Sequence, residues 1–168
     1  MKLHLLFVGT TRSLVGGKAT GEAARLYTEA MAEYAARIGH YLPFTIEELP
    51  DLKNTKSLAE EQQKEREADQ IAAAMQPGDI LVLLDERGRE MSSREFAAWM
   101  EGRMQTVTRR LVLVVGGPYG FAQRIYDMAQ GKISLSRMTF SHQMVRLFLV
   151  EQVYRACTII RGEPYHHD

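Results

Sequence analysis

Two short apolar runs, Ile80-Leu81-Val82-Leu83-Leu84 and Leu111-Val112-Leu113-Val114-Val115, contain no polar residue and stop abruptly. A run of that length without alternation is a strand covered on both faces, the environment of a parallel sheet with helices above and below it. The first run breaks into Asp85-Glu86-Arg87-Gly88-Arg89 and the second into Gly116-Gly117-Pro118-Tyr119-Gly120. The carboxyl ends of parallel strands are where α/β sheets bind ligands, so these breaks, and the segment after Leu135, are the places to look for a site.

The rest of the chain supplies the other elements of an α/β fold with a mostly parallel sheet and helices on both faces. Leu3 to Val8 reads as a buried strand ending at Gly9, and Phe44 to Leu49 as a second strand. Leu26, Tyr27, Ala30, Met31, Tyr34 and Ile38 share one face of a helix from Gly21 to Ile38. After the turn-rich Pro50 to Thr55, a polar helix opens on Ser57 and Glu60 as a capping box and stops at Pro77-Gly78. Ser92 and Glu95 form a second capping box for a helix carrying Phe96, Trp99, Met100 and Met104. A helix from Ala122 to Gln130, a strand from Ile133 to Leu135 and a long helix from His142 to Ile160 complete the pattern. No repeat or linker divides the 168 residues, so residues 1–168 are expected to form one domain, long enough to bury roughly 70% of the unfolded chain's surface.

Cys157 is the single cysteine, which excludes an intrachain disulfide and a multi-cysteine zinc or iron–sulfur site. No metal is expected. Nothing approaches the roughly 20 apolar residues of a membrane span, and Leu3 to Val8 is too short for a secretion signal. The expectation is a cytoplasmic protein with no membrane partner. Charges balance at 21 Lys+Arg and 21 Asp+Glu, but unevenly: residues 1–84 carry 9 basic and 12 acidic side chains, and residues 85–168 carry 12 and 9. Eleven of the second half's basic residues are Arg, whose planar fork suits phosphate, although surface salt bridging accounts for the same bias.

The glycine turn after Val115 has the context for close approach of backbone to a ligand, yet it is neither G-x-G-x-x-G nor a P-loop, and Pro118 removes an amide. Ser141 and His142 fit helix capping, and also a serine hydrolase using Ser136 or Ser141 with His142 or His166, but no G-x-S-x-G elbow is present. Cys157 falls on the apolar pattern of the last helix. That helix is apolar almost all round, with Met144, Val145, Leu147, Phe148, Leu149, Val150, Val153, Tyr154 and Ala156, which a symmetric dimer interface or an unusually enclosed position would explain.

Four strings occur in order: Val115-Gly116-Gly117-Pro118-Tyr119-Gly120, Leu135-Ser136-Arg137-Met138-Thr139-Phe140-Ser141-His142-Gln143-Met144-Val145-Arg146, Glu151-Gln152-Val153-Tyr154-Arg155-Ala156, and Pro164-Tyr165-His166. Together with the opening Met1-Lys2-Leu3 through Val8-Gly9-Thr10, they make a chain that resembles the RlmH family of ribosomal RNA methyltransferases, small enzymes of the SPOUT class. Tyr119 and Phe121 occupy variable positions of the family's turn, and Ser141 stands where proline is common.

The resemblance implies a SPOUT-type trefoil knot in the carboxyl-terminal half, which ordinary topology disfavours. It implies S-adenosyl-L-methionine as cofactor, held by Leu84, Gly117, Leu135, Ser136, Arg137, Met138, Thr139 and Phe140. It further implies methylation of nitrogen 3 of a pseudouridine in helix 69 of 23S rRNA, with the ribosome as partner, and a homodimer packed through the last helix. The target nitrogen must lose its proton, for which His142, Tyr165 and His166, or solvent, are the candidates. Arg137, Arg146, Arg155 and Arg161 are the candidates for RNA phosphates, unless they form interface ion pairs. An RNA-binding protein of the same fold without catalysis is the competing reading, and cofactor binding separates the two.

Overall fold

The computed structural model describes residues 1–11 and 21–167. Within them β1 (Lys2–Phe7), β2 (Phe44–Glu48), β3 (Ile80–Glu90), β4 (Arg110–Val115) and β5 (Gly131–Ser134) form one parallel sheet in the order β2-β1-β4-β3-β5. The helices are α1 (Gly21–Ile38), α2 (Glu60–Ala74), α3 (Ser93–Thr106), α4 (Gln123–Met128) and α5 (His142–Arg161). This is the expected α/β fold, with element ends within a few residues of the sequence reading except at β3.

Strand alternation sorts the core into two layers. Leu3, Leu5 and Phe7 of β1, with Leu111, Leu113 and Val115 of β4, face Met31 and Ile38 of α1, Phe96 and Met100 of α3, and Leu149 and Val153 of α5. Leu6 of β1, Leu81 and Leu83 of β3, and Val112 and Val114 of β4 face Ala68 and Ile71 of α2 and Ile125 of α4. The apolar runs in the middle of the sheet are therefore covered on both faces. No helix among the described residues is long and apolar enough to cross a membrane.

Two local expectations are corrected. Ser57 does not cap α2: it closes a 3-10 turn over Thr55–Ser57, and α2 starts at Glu60, where Gln62 Oε1 accepts from the Ala59 amide at 3.2 Å. The other capping box forms, with Ser92 N donating to Glu95 Oε2 at 2.7 Å and Glu95 N to Ser92 Oγ at 3.2 Å. β3 does not end at Leu84. Both Leu84 and Arg89 pair with Ile133 of β5, so the intervening residues bulge out and the strand resumes to Glu90. Gly88 is required there, because a Cβ would lie 2.4 Å from the Ile133 carbonyl carbon.

The last helix is more enclosed than its sequence suggests. α5 packs against both α1 and α3 as well as the sheet, and Leu149, Val150, Val153, Ala156 and Cys157 are all buried. Burial pushes the Cys157 thiol up to about 12, consistent with its expected place in the core. Much of the apolar circumference is thus covered within one chain, leaving Met144 exposed and Leu147 and Phe148 half-buried.

Candidate active site

Sheet register brings the carboxyl ends together: Val115 lies between Phe7 and Leu84, and Leu84 between Val115 and Ile133. Beyond them opens a cleft of ≈ 660 Å³, a volume that suits a small cofactor. Leu84, Val115, Ile133 and Val145 give it apolar walls, and the Gly116–Gly120 turn and the strap from Leu135 to Phe140 close over it. Asp85 and Arg87 enter from the β3 bulge, Glu61 and Lys64 from α2 and His142 from α5. All eight residues to which the family resemblance assigned cofactor contacts line this one cleft.

The strap holds its own shape. Ser134 Oγ donates to the Ser136 carbonyl at 3.0 Å, and the Met138 amide donates to Ser136 Oγ at 2.9 Å. Phe140 anchors its far end edge-on against Phe148, ring centroids 5.0 Å apart. Met138 is 74% exposed, and Arg137 reaches out to Glu90 at 3.5 Å. Across the cleft, Tyr126 donates to Asp85 Oδ2, and Asp85 Oδ1 accepts from the Arg87 amide at 2.8 Å, which fixes the bulge. Burial and the bond to Asp85 push the Tyr126 phenol up to about 12.

His142 is half-buried at the start of α5, where Ser141 Oγ accepts from the Met144 amide at 3.4 Å as helix cap. Burial, and then the Arg146 cation, pull its pKa below 6.5, while a hydrogen bond to the Gly116 backbone pulls the other way. The imidazole is therefore neutral at neutral pH. Ser136 and Ser141, the hydrolase candidates, both accept from backbone amides in turns.

The other proposed residues separate. Arg146, grouped from sequence with the RNA arginines, is 0% exposed: it donates to the carbonyls of Val8 at 2.7 Å and Gly9 at 2.9 Å and to Thr11 Oγ1 at 3.1 Å, and its guanidinium covers the Phe7 ring. A guanidinium so enclosed is not available to a phosphate. Arg137 and Arg161 are exposed, and Arg155 is bound to Glu151 and His166. Tyr165 and His166 are not among the cleft's lining residues. Tyr165 folds onto α5, its ring 4.7 Å from that of Tyr154 and its hydroxyl 3.1 Å from Glu151 Oε1 and 3.4 Å from the Tyr34 hydroxyl. Asp168 lies outside the described residues.

One residue escaped the sequence reading. Glu67 of α2 is 5% exposed and sits behind the glycine turn, where a Cβ on Gly117 would meet its Oε2 at 2.5 Å and Oε1 at 2.7 Å. The glycine at 117 is thus demanded by the carboxyl behind the turn, in addition to any ligand in front. The signal was present: Glu67 shares the inward stripe of α2 with Ala68 and Ile71. Among the described residues no group of three His, Cys, Asp or Glu side chains is placed to hold a metal ion.

The family model described as predicted SPOUT methyltransferase matches residues 1–166, and the chain belongs to that family. Curated relatives carry the name ribosomal RNA large subunit methyltransferase H. The protein of that name from Bacteroides fragilis is 53% identical over 168 residues, all of both chains, and that from Parabacteroides distasonis is 52% identical over the same span. The relative from Christiangramia forsetii is 51% identical over 148 residues, 88% of this chain and 94% of that one.

Proposed function

We propose that this chain is an S-adenosyl-L-methionine-dependent ribosomal RNA methyltransferase that methylates nitrogen 3 of a pseudouridine in helix 69 of 23S rRNA, acting in the cytoplasm on the ribosome as a single-domain protein. The observation that carries the proposal is the single cleft at the carboxyl ends of β3, β4 and β5, which gathers Leu84, Gly117 and the whole strap from Leu135 to Phe140. Family membership and the names of the relatives support it. The trefoil knot of the carboxyl-terminal half goes with the same family.

The residues present fit the cofactor. Leu84, Ile133 and Leu135 offer apolar surface for a flat ring, and the backbone of the strap and of the glycine turn offers polar groups at the cleft's rim. When bound, S-adenosyl-L-methionine supplies an electrophilic methyl group on a sulfonium. Because a positive charge disappears in such a transfer, the chain needs no oxyanion hole, and its task is alignment and exclusion of water. The strap, braced through Ser136, and the fixed β3 bulge serve that alignment.

His142 is the proton acceptor we favour, since it alone of the three candidates lines the cleft, and its neutral ring can bond the Gly116 backbone through one nitrogen and leave the other free. Arg137 and Arg161, both exposed, are proposed to hold RNA phosphates, and Arg155 flanks the tail. Two copies pack through the outer side of α5 around Met144, Leu147 and Phe148. In that homodimer Tyr165 and His166 serve the partner's cleft, a reading supported by their absence from the lining of their own.

Titration calorimetry with S-adenosyl-L-methionine and S-adenosylhomocysteine tests the proposal. Saturable binding of both at one site per chain is expected, and no heat with either would leave the chain without its cofactor.

A further inference from the structure

Among the described residues Glu67 is the buried acid whose carboxyl lies against the glycine turn, and the chemistry described above makes no use of it. Gln63 Nε2 donates to its Oε1 at 2.9 Å, while Oε2 is buried with no hydrogen-bond partner among the described residues. Leaving a buried polar atom unpaired is destabilising, a cost that an apolar side chain of the same length would avoid. Its helix neighbours Ala68 and Ile71 are buried in the cluster that holds Val8, Leu49, Val114, Phe121 and Ala122.

Its position relative to the turn is specific. Gly117 lines the cleft on one side and meets Glu67, which does not line the cleft, on the other. A carboxyl carbon 2.8 Å from where a Cβ would stand leaves the turn no room to sink toward α2. Pro118 and the Gly120 amide, which donates to the Gly117 carbonyl at 3.2 Å, limit the turn from within. The carboxyl limits it from behind. Burial also pushes the carboxyl's pKa up.

We propose that Glu67 is a positioning residue of the cofactor site: it touches no cofactor, and sets the level of the Gly116–Gly120 turn from behind so that the turn's backbone meets the cofactor. The proposal rests on the cleft being the cofactor site. It predicts that Glu67 governs cofactor affinity without governing affinity for RNA.

Full-length Glu67→Met and Glu67→Gln test it. Glu67→Met keeps the length and removes the polar head, and it is expected to weaken S-adenosylhomocysteine binding about tenfold or more and to raise KM for the methyl donor by a similar factor. KM for the ribosomal substrate should be unchanged. Glu67→Gln, which keeps the shape and a donor, should restore cofactor affinity to within about threefold of wild type. A double-mutant cycle adds an independent arm. Gly117→Ala should lose cofactor affinity in the wild-type background, where its methyl meets the carboxyl, and lose much less in Glu67→Ala, where that space is open. Wild-type cofactor affinity in Glu67→Met, or losses at 117 and 67 that simply add, overturns the proposal. Absence of cofactor binding by wild type overturns the reading of the cleft instead, so the two failures are distinct.

Discussion

Arg146 lies on the inward stripe of α5 with Leu149, Val150, Val153 and Cys157, and its guanidinium ends beneath the loop that follows β1. Burial lowers its pKa to about 10, so it remains a cation at neutral pH, with the Glu48 carboxylate 3.6 Å away. Arg146→Met strands the Val8 and Gly9 carbonyls and should cost about 2–4 kcal/mol in urea unfolding, while Arg137→Ala leaves stability unchanged and weakens ribosome binding. Arg146 shares the spacing of the inward stripe, a signal that its residue type, which suggested phosphate, outweighed in the sequence reading. Glu67 was missed for the opposite reason, as one acid among many on a polar helix. Its raised pKa has a signed consequence. The folded state holds the proton more tightly than the unfolded state, so stability falls as pH rises from the ordinary 4.5 through the raised value. Glu67→Gln removes that loss, and its stability advantage over wild type should grow with pH across this window, as followed by urea midpoints.

At the scale of elements, the tail is a packed segment and not a frayed end. Gly162 caps α5 in the left-handed conformation at φ 68°, the Glu163 amide donates to the Thr158 carbonyl at 2.9 Å, and Tyr41 donates to the Glu163 carboxylate. Arg155 covers the Tyr165 ring at 4.8 Å. Deleting Tyr165 to Asp168 should therefore lower the unfolding free energy by about 1–3 kcal/mol as well as reducing methyl transfer at least about tenfold, with cofactor affinity largely kept. Retained turnover would remove Tyr165 and His166 from the chemistry. The second capping box was legible because Ser92 and Glu95 stand at the spacing a helix start requires and nothing competes for them. Ser57 and Glu60 have the same spacing, but Ser57 is taken into a 3-10 turn after Asn54 adopts the left-handed conformation. The continuation of β3 past Leu84 was invisible because its second half pairs through a jump in register that only the neighbouring strand dictates.

For the whole molecule, alternating apolar runs were enough to establish a parallel sheet with two helical layers, and the three strand-end segments singled out from sequence do converge on one cleft. What the sequence could not supply was which side of each segment faces ligand and which faces core, since that depends on α2 and α5 packing from opposite layers. The same distinction decides where the dimer can be tested. Val150 is wholly buried within the chain, so a charge there would unfold it, whereas Leu147 is only half-buried. Leu147→Glu should convert a sedimenting dimer to monomers at micromolar concentration, because burying an unpaired charge costs several kcal/mol. A monomeric wild type would refute the interface. The most direct measurement of all is mass spectrometry of nucleosides from helix 69 of 23S rRNA, after ribosomes are incubated with the protein and isotope-labelled S-adenosyl-L-methionine. One labelled methyl group on a pseudouridine is the expected result, and unlabelled helix 69 with a fully folded, cofactor-binding protein would contradict it.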